Sequence, residues 1–198
     1  MIFSTEENFV LENDSVRLEP LTNSHFEHFL YFTKTEPTLW KYSFQQPNTE
    51  ENLKIYMEIA RSAKEKGTAY PFVVFDKRVK QYAGSTRFYD INLNHKIASL
   101  GYTWYGSSFH GTGLNKNCKL LLLDFAFNEM KLERVQFEAD ATNERSINAM
   151  KSIGCTVEGI HRSNRTMPEG RRDSIVLSIL RDDWVSSLRS QLVSKLGI

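Results

Sequence analysis

Two glycines at alternate positions, Gly111 and Gly113, lie where the chain passes from a predicted strand into a predicted helix. Aromatic and β-branched residues over 102–105 favour the strand. The helix is indicated by apolar residues at helical spacing, namely Leu114, Cys118, Leu121, Leu122 and Phe125. The first turn of a helix offers unpaired N–H groups and the positive end of its dipole, and glycines let an anion approach closely. This segment therefore predicts a phosphate-binding loop.

Three kinds of phosphate loop are compared with this segment. A Walker loop requires Gly-x-x-x-x-Gly-Lys-Ser/Thr, which the chain lacks. A dinucleotide fingerprint requires a third glycine where Lys116 stands, and it usually lies near the start of its unit. The pyrophosphate loop of acetyl-CoA-dependent N-acetyltransferases, Gln/Arg-x-x-Gly-x-Gly/Ala, matches at both glycines but has Ser108 at its first position. The loop alone does not decide between a ligand site and a simple helix entry.

The downstream sequence favours the third kind of loop. A predicted strand over 132–141 is followed by Asn143-Glu144-Arg145-Ser146-Ile147 and then by Gly154. This arrangement resembles the Asn-x-x-Ser-Ile…Gly-Phe segment of the GCN5-related N-acetyltransferase (GNAT) family, in its RimJ/RimL-like branch. The resemblance extends from the strand over 16–21 to Trp184, and so covers roughly residues 14–184.

The resemblance implies an α/β fold with a central, mostly antiparallel sheet of about seven strands, flanked by helices. Short connections predict antiparallel neighbours, whereas the helix after the glycine loop is a crossover that makes the fourth and fifth strands parallel. A last hairpin is predicted around Pro168, Glu169 and Gly170. We expect one domain over 1–198, with a core over 14–184 and a C-terminal helical tail over 185–198.

In this family acetyl-CoA binds where the two parallel strands splay apart. The resemblance therefore assigns the backbone of Thr103, Trp104 and Tyr105 to the pantetheine arm, and Asn143 to fixing that arm. The pyrophosphate is assigned to the N–H groups of Gly111, Thr112, Gly113, Leu114 and Asn115, with added charge from His110 and Lys116.

The family reaction is direct attack of a neutral amine on the thioester, which requires proton removal from an ammonium and stabilisation of a thiolate. Many relatives supply a tyrosine to the thiolate, but here that position is Met150. Ser146 matches the serine that RimL-like members present to the thioester sulfur, so the resemblance implies Ser146 as the donor. Asp140 is the first candidate for the base, and Glu138 lies two residues earlier on the same strand face. Trp40 and Tyr42 are candidates for the substrate-binding wall, although a core role is equally compatible with them.

Composition limits the remaining classes of function. The 198 residues carry a formal net charge of +1, which argues against a general nucleic-acid partner. Two cysteines do not make a disulfide framework, and no apolar run is long enough for a membrane span. His25 and His28 lie three apart on a helix but lack an evident third ligand, so no metal is expected. Without a signal-peptide pattern at residue 1, a cytoplasmic location is expected.

Several alternatives stay open at this point. The acceptor could be a protein N-terminus, another α-amine or a small-molecule amine, and a homodimer is compatible with the C-terminal tail. The chain could also be a non-catalytic acetyl-CoA sensor, an alternative favoured by Met150, or a structural protein that binds a partner through its last helix.

Overall fold

One mixed sheet of eight strands organises the chain. The computed structural model describes residues 3–167 and 170–198. The strands are β1 (Leu11–Glu12), β2 (Val16–Pro20), β3 (Ala69–Asp76), β4 (Gln81–Asn92), β5 (Ile97–Tyr105), β6 (Arg134–Asp140), β7 (Thr156–Met167) and β8 (Gly170–Leu180). The helices are α1 (Phe26–Thr35), α2 (Glu50–Glu65), α3 (Leu114–Asn128), α4 (Glu144–Ser152), α5 (Arg181–Asp183) and α6 (Arg189–Leu196). Pro168 and Glu169, in the predicted hairpin turn, lie outside the described residues.

The strand order is β1-β2-β3-β4-β5-β6-β8-β7, and the pair β5–β6 is parallel while the other pairs are antiparallel. The predicted mixed fold and its parallel pair are thus confirmed. The predicted count of about seven was one strand short, because the two-residue strand β1 adds an edge to β2. The parallel pair consequently falls on the fifth and sixth strands.

The two parallel strands are paired over a short distance. Ile97–Ser99 of β5 lie opposite Arg134–Gln136 of β6, and the strands are not bonded to each other beyond that point. Both strands continue, to Tyr105 and Asp140, so the sheet divides between them. A bulge in β5 marks the same region: its register with β4 shifts between Ser85 and Arg87, and Tyr102 has a φ of 48°.

Helices cover both faces of the sheet at this division. The Trp104 ring packs edge-on against Phe29 and Phe32 of α1, with ring centroids 4.9 and 5.5 Å apart. The neighbouring residue, Thr103, contacts Lys119 of α3 instead. Since successive strand residues point to opposite faces, α1 and α3 lie on opposite sides of β5. Each buried aromatic side chain in this core contributes roughly 1.5–3 kcal/mol to folding.

The C-terminal segment packs against the domain through α3. Trp184 is buried and its Nε1 donates to Asp124 Oδ1 of α3 at 3.0 Å. Arg189, at the start of α6, forms an ion pair with the same carboxylate at 2.9 Å. The described helices include none long and apolar enough to cross a membrane.

Candidate active site

A cavity of about 750 Å³ occupies the division between β5 and β6. One end is lined by the glycine loop and the first turn of α3, and α4 contributes one wall. The other end is lined by aromatic and charged side chains, which are Tyr42, Phe44, Tyr89, Glu138, Arg165 and Arg172. This volume is within the usual range for a small-molecule or cofactor site.

The glycine loop leaves the N-terminus of α3 open. Gly111 and Gly113 have φ values of 74° and 84°, and a Cβ on either glycine would meet no atom within 4 Å. Gly113, the N-cap residue of α3, has no side chain to cap the helix; the neighbouring Thr112 hydroxyl donates to the Phe109 carbonyl at 2.8 Å and accepts the Leu114 N–H in a long bond of 3.4 Å. Unpaired N–H groups, a positive helix dipole and unobstructed space together suit a pyrophosphate.

Two arginines that the sequence did not assign, Arg145 and Arg78, reach this loop. Arg145 of α4 donates through Nη1 to His110 Nδ1 at 3.2 Å, and His110 Nε2 lies 2.9 Å from the Tyr105 carbonyl. Both nitrogens of His110 are therefore used inside the protein. Arg145 and Lys116 line the cavity and are the charges available to phosphates. Arg78 also reaches the loop, where its Nη1 donates to the Thr112 carbonyl at 2.8 Å.

The predicted cofactor residues of β5 face different surroundings. The Trp104 side chain is buried in the core and its Nε1 donates to Tyr56 Oη at 3.3 Å, so its backbone is the part available to a ligand. Tyr105 is also buried and donates its hydroxyl proton to Asn115 Oδ1 at 3.3 Å. Burial raises the pKa of Tyr105 well above its usual value, so the phenol stays neutral. Leu114 is fully buried, which leaves its backbone as its contribution to the loop.

Of the two predicted substrate-binding aromatics, Trp40 is in the core and Tyr42 lines the cavity. Trp40 is 1% exposed and packs edge-on against Trp104, with ring centroids 5.2 Å apart. The ring therefore packs in the core beside β5 and is not among the described residues that line the cavity. The other interpretation of this residue, a plain core role, matches the structure.

The start of α4 places Asn143 and Ser146 at the cavity wall. Asn143 is the N-cap of the helix, and its Oδ1 accepts the Ser146 N–H at 3.1 Å. Met150 lies one turn later, is buried and also lines the cavity. The helix cap thus fixes the serine one turn before the position at which the family resemblance expects a tyrosine.

The two carboxylates of β6 differ in their hydrogen bonds. Asp140 Oδ1 accepts both the N–H and the hydroxyl of Thr142, at 2.8 and 2.6 Å. Glu138 Oε1 is buried without a hydrogen-bond partner among the described residues. The nearest cations to Glu138, Arg165 and Arg172, are both 3.9 Å away. Burial, followed by the charge of Glu138, raises the pKa of the neighbouring Tyr89 to about 12.

A buried lysine completes the wall formed by α3. Lys119 lines the cavity, is 4% exposed, and donates from Nζ to Thr103 Oγ1 at 3.1 Å. Sequence periodicity did not single it out. Elsewhere, His25 contacts Glu19 at 3.1 Å and the His28 ring packs on Tyr82; within residues 3–167 and 170–198 no cluster of three metal-ligating side chains exists.

Known proteins resemble this chain in sequence. A family model for the acetyltransferase (GNAT) domain matches residues 15–156. A candidate ribosomal N-acetyltransferase of Bacillus subtilis (strain 168), YdaF, is 28% identical over 101 residues, which are 51% of this chain and 55% of YdaF. The aligned stretch thus spans about half the length of that curated relative.

Two solved structures extend the comparison. The crystal structure of a candidate acetyltransferase from T. thermophilus is 33% identical, has a TM-score of 0.84, and is matched over 94% of this chain and 96% of that chain. The structure of RimL, the ribosomal L7/L12 alpha-N-protein acetyltransferase, in complex with coenzyme A, is 17% identical with a TM-score of 0.77. It is matched over 88% of this chain and 99% of that chain, and at this identity it shows the shared fold.

Proposed function

The chain belongs to the GNAT acetyltransferase family, and from this premise we propose that it transfers the acetyl group of acetyl-CoA to a primary amine. The acceptor that we propose is the α-amine of a protein N-terminus. One observation carries the proposal: the same cavity is lined by the glycine loop at the N-terminus of α3 and by Glu138, whose Oε1 accepts no hydrogen bond among the described residues.

The donor end is formed by the glycine loop. The N–H groups of Gly111–Asn115 hold the pyrophosphate, while Arg145 and Lys116 add positive charge. The backbone of Thr103–Tyr105, which has β4 on one side and no paired strand on its β6 side, binds the pantetheine arm. RimL, which has the same fold, is in complex with coenzyme A, and this supports the assignment of the donor.

The acceptor end is formed by Tyr42, Phe44 and the charged pairs of β6 and β8. An α-ammonium has a pKa of about 7.7–8.0, so part of the acceptor is already the neutral amine near neutral pH, and a carboxylate serves to accept the proton that the amine loses as it attacks. Glu138 is placed to receive this proton because its Oε1 is buried and accepts no hydrogen bond among the described residues, and the two arginines beside it, Arg165 and Arg172, are 3.9 Å away. Asp140, the first candidate from the sequence, already accepts two hydrogen bonds from Thr142 and so stabilises the turn before α4.

The chemistry requires one attack within a ternary complex. The neutral amine forms a bond to the thioester carbonyl carbon, the carbon–sulfur bond breaks, and the electron pair stays on sulfur as a thiolate. Ser146, fixed by the Asn143 cap, donates a hydrogen bond to that sulfur. Arg165 lines the cavity with a half-exposed side chain and is available to an acceptor carbonyl or carboxylate group, whereas Arg172 is buried and donates to Ser174 Oγ and the Tyr42 carbonyl.

The proposal is tested by two peptides of the same sequence that contain one lysine, one with a free N-terminus and one with a blocked N-terminus. We expect acetylation of the free α-amine and none of the blocked peptide. Acetylation of lysine in both peptides would overturn the α-amine assignment. Saturable acetyl-CoA binding without transfer to any amine would instead support the sensor function.

The role of Glu138 is tested by Glu138→Gln, with Glu133→Gln as the matched control. Glu133 lies just before β6 and pairs with Lys96 at 3.5 Å, away from the cavity. We expect the first variant to lose roughly 10²-fold in kcat while acetyl-CoA affinity is retained. Equal activities of the two variants would exclude Glu138 as the base.

A further inference from the structure

Lys119 projects from α3 into the gap where the sheet divides. Its Nζ lies 3.1 Å from Thr103 Oγ1 on β5 and 5.9 Å from the centre of the Phe137 ring on β6. These two strands are paired at Ile97–Ser99 and have separated by Thr103. The amine therefore lies between them, at the depth where the cavity is lined by both strands and by Met150.

The surroundings of this amine do not balance its charge. Lysine has three donors, and Thr103 Oγ1 is the acceptor present for one of them. Thr103 is itself bonded to Thr86, with the two hydroxyl oxygens 2.7 Å apart. No carboxylate of the described residues forms an ion pair with Lys119; its titratable neighbours are the thiols of Cys118 and Cys155. A buried cation without an anionic partner is costly, and such positions are retained more often for function than for stability.

Burial sets the charge states of the three groups. Desolvation lowers the pKa of Lys119 to about 8, and it raises the pKa of both Cys118 and Cys155 to about 12. Near neutral pH the thiols are uncharged and the amine is mostly protonated. The Lys119 ammonium is thus a positive charge in a low-dielectric part of the cavity, where its effect on a nearby anion is larger than in water.

We propose that Lys119 binds the sulfur of coenzyme A and stabilises the thiolate that the reaction releases. This inference rests on the proposed function, since that reaction is what generates an anion on sulfur. When the carbon–sulfur bond breaks, its electron pair moves to sulfur and the ammonium of Lys119 neutralises the new charge. This interaction is stronger in the transition state than in the ground state, so it accelerates the chemical step.

Lys119 also protonates the thiolate when coenzyme A leaves. The pKa of Lys119, about 8, is close to the value of about 8.5 that an ordinary thiol has. Lys119 therefore passes a proton to sulfur at little cost as coenzyme A departs, and the neutral amine regains a proton from water. Ser146 contributes a hydrogen bond from α4, whereas Lys119 contributes a charge from α3.

The test measures the ionisation of enzyme-bound coenzyme A through the ultraviolet absorbance of its thiolate during a pH titration. Lys119→Met removes the charge and keeps a side chain of similar length. Lys116→Met is the matched control, because it removes the same charge one turn earlier at the phosphate end of the cavity. Desulfo-CoA, which lacks the sulfur, reports whether each variant still holds the rest of the ligand.

In the unchanged protein, we expect the thiol of bound coenzyme A to have a pKa at least about one unit below that of free coenzyme A. At a given pH, the ratio of thiolate to thiol is then at least about tenfold higher in the bound ligand. Lys119→Met should abolish this difference while its desulfo-CoA affinity stays within about threefold. Lys116→Met should weaken both ligands equally and leave the thiol ionisation unchanged.

Two results would overturn the proposal. One is that the thiol of coenzyme A bound to the unchanged protein ionises at the same pH as in free coenzyme A. This measurement uses no variant, so it does not depend on whether a variant folds. The other is an equal loss of coenzyme A and desulfo-CoA affinity in Lys119→Met, which would assign Lys119 to the pantetheine arm. Absence of binding by both ligands in the unchanged protein would instead remove the proposed function itself.

Discussion

Arg145 Nη1 lies 3.2 Å from His110 Nδ1, and this contact joins the start of α4 to the loop that precedes α3. Arginine can only donate, so Nδ1 accepts, and Nε2 carries the proton that His110 donates to the Tyr105 carbonyl at 2.9 Å. Both ring nitrogens of His110 are thus engaged within the protein, and the histidine orients the arginine. Arg145 and Lys116 also line this end of the cavity.

Replacing Arg145 is expected to weaken acetyl-CoA binding. Arg145→Met removes a guanidinium from the phosphate end, and a hydrogen bond to a charged group is worth about 1.5–3 kcal/mol, so the Kd should rise roughly tenfold to a hundredfold. Lys151→Met is the control, since it removes one charge from an exposed position of the same helix. Calorimetric titration at two salt concentrations checks this, and similar affinities of the two variants would contradict it.

A side chain at Gly113 is expected to abolish acetyl-CoA binding. Gly113→Val introduces a branched Cβ where the protein has no atom within 4 Å, in the space assigned to phosphate. Valine is also strained at a φ of 84°, by roughly 1–2 kcal/mol. Gly197→Val controls for this strain, because Gly197 has a φ of 71° at the end of α6 and is equally unobstructed.

Both glycine variants should lose similar stability in urea unfolding. Only Gly113→Val should lose acetyl-CoA affinity, because the space around Gly197 has no ligand to accommodate. If Gly113→Val binds acetyl-CoA as well as Gly197→Val does, the loop is a helix entry without a phosphate site.

The features predicted correctly from sequence depend on local patterns. The glycine loop and the helix after it each involve residues within a few positions of one another, where spacing and turn chemistry are informative. The parallel pair followed from the crossover through α3, which leaves little topological choice.

The features missed depend on contacts between distant segments. Trp40 and Trp104 are far apart in sequence, and only the packing of the segment after α1 against β5 shows that Trp40 is core. Lys119 follows Cys118 on a helix whose apolar spacing leaves it out of the predicted buried face. It is buried because α3 crosses the sheet where β5 and β6 are no longer paired, so that its amine reaches Thr103 of β5.

Removing the Ser146 hydroxyl is expected to slow turnover without changing donor binding. Ser146→Ala keeps the backbone N–H that Asn143 caps, so α4 should retain its start. A hydrogen-bond donor that acts on the developing thiolate contributes to kcat, for which we expect a loss of about 10²-fold, while acetyl-CoA Kd changes little. Ser190→Ala is the control, because the hydroxyl of Ser190 donates to the Ser187 carbonyl on the C-terminal helix. Unchanged kcat in Ser146→Ala would remove this residue from the mechanism.

The ion pair between Arg134 and Glu158 is expected to make the free energy of unfolding depend on pH. Hydrogen bonds from Arg134 outweigh the effect of burial, and with a bond from Ser178 they lower the pKa of Glu158 from 4.5 to about 2. A lowered carboxyl pKa stabilises the folded state above the unfolded value, so this contribution is complete above a pH of about 4.5 and is lost as the pH falls towards 2. Because the Glu158 side chain is 37% exposed, solvent screening limits the gain to about 1 kcal/mol or less.

Urea unfolding of the unchanged protein and of Glu158→Gln measures this contribution. The difference in free energy of unfolding should be largest near neutral pH and should shrink as the pH falls below about 4.5, because protonation removes from the glutamate the charge that glutamine already lacks. Glu12→Gln is the control, since the Glu12 carboxylate is 54% exposed and pairs with Lys77 at 3.3 Å. A difference that stays constant over the same pH range would show that Glu158 contributes through packing or neutral hydrogen bonds, and that its ion pair to β6 adds nothing to stability.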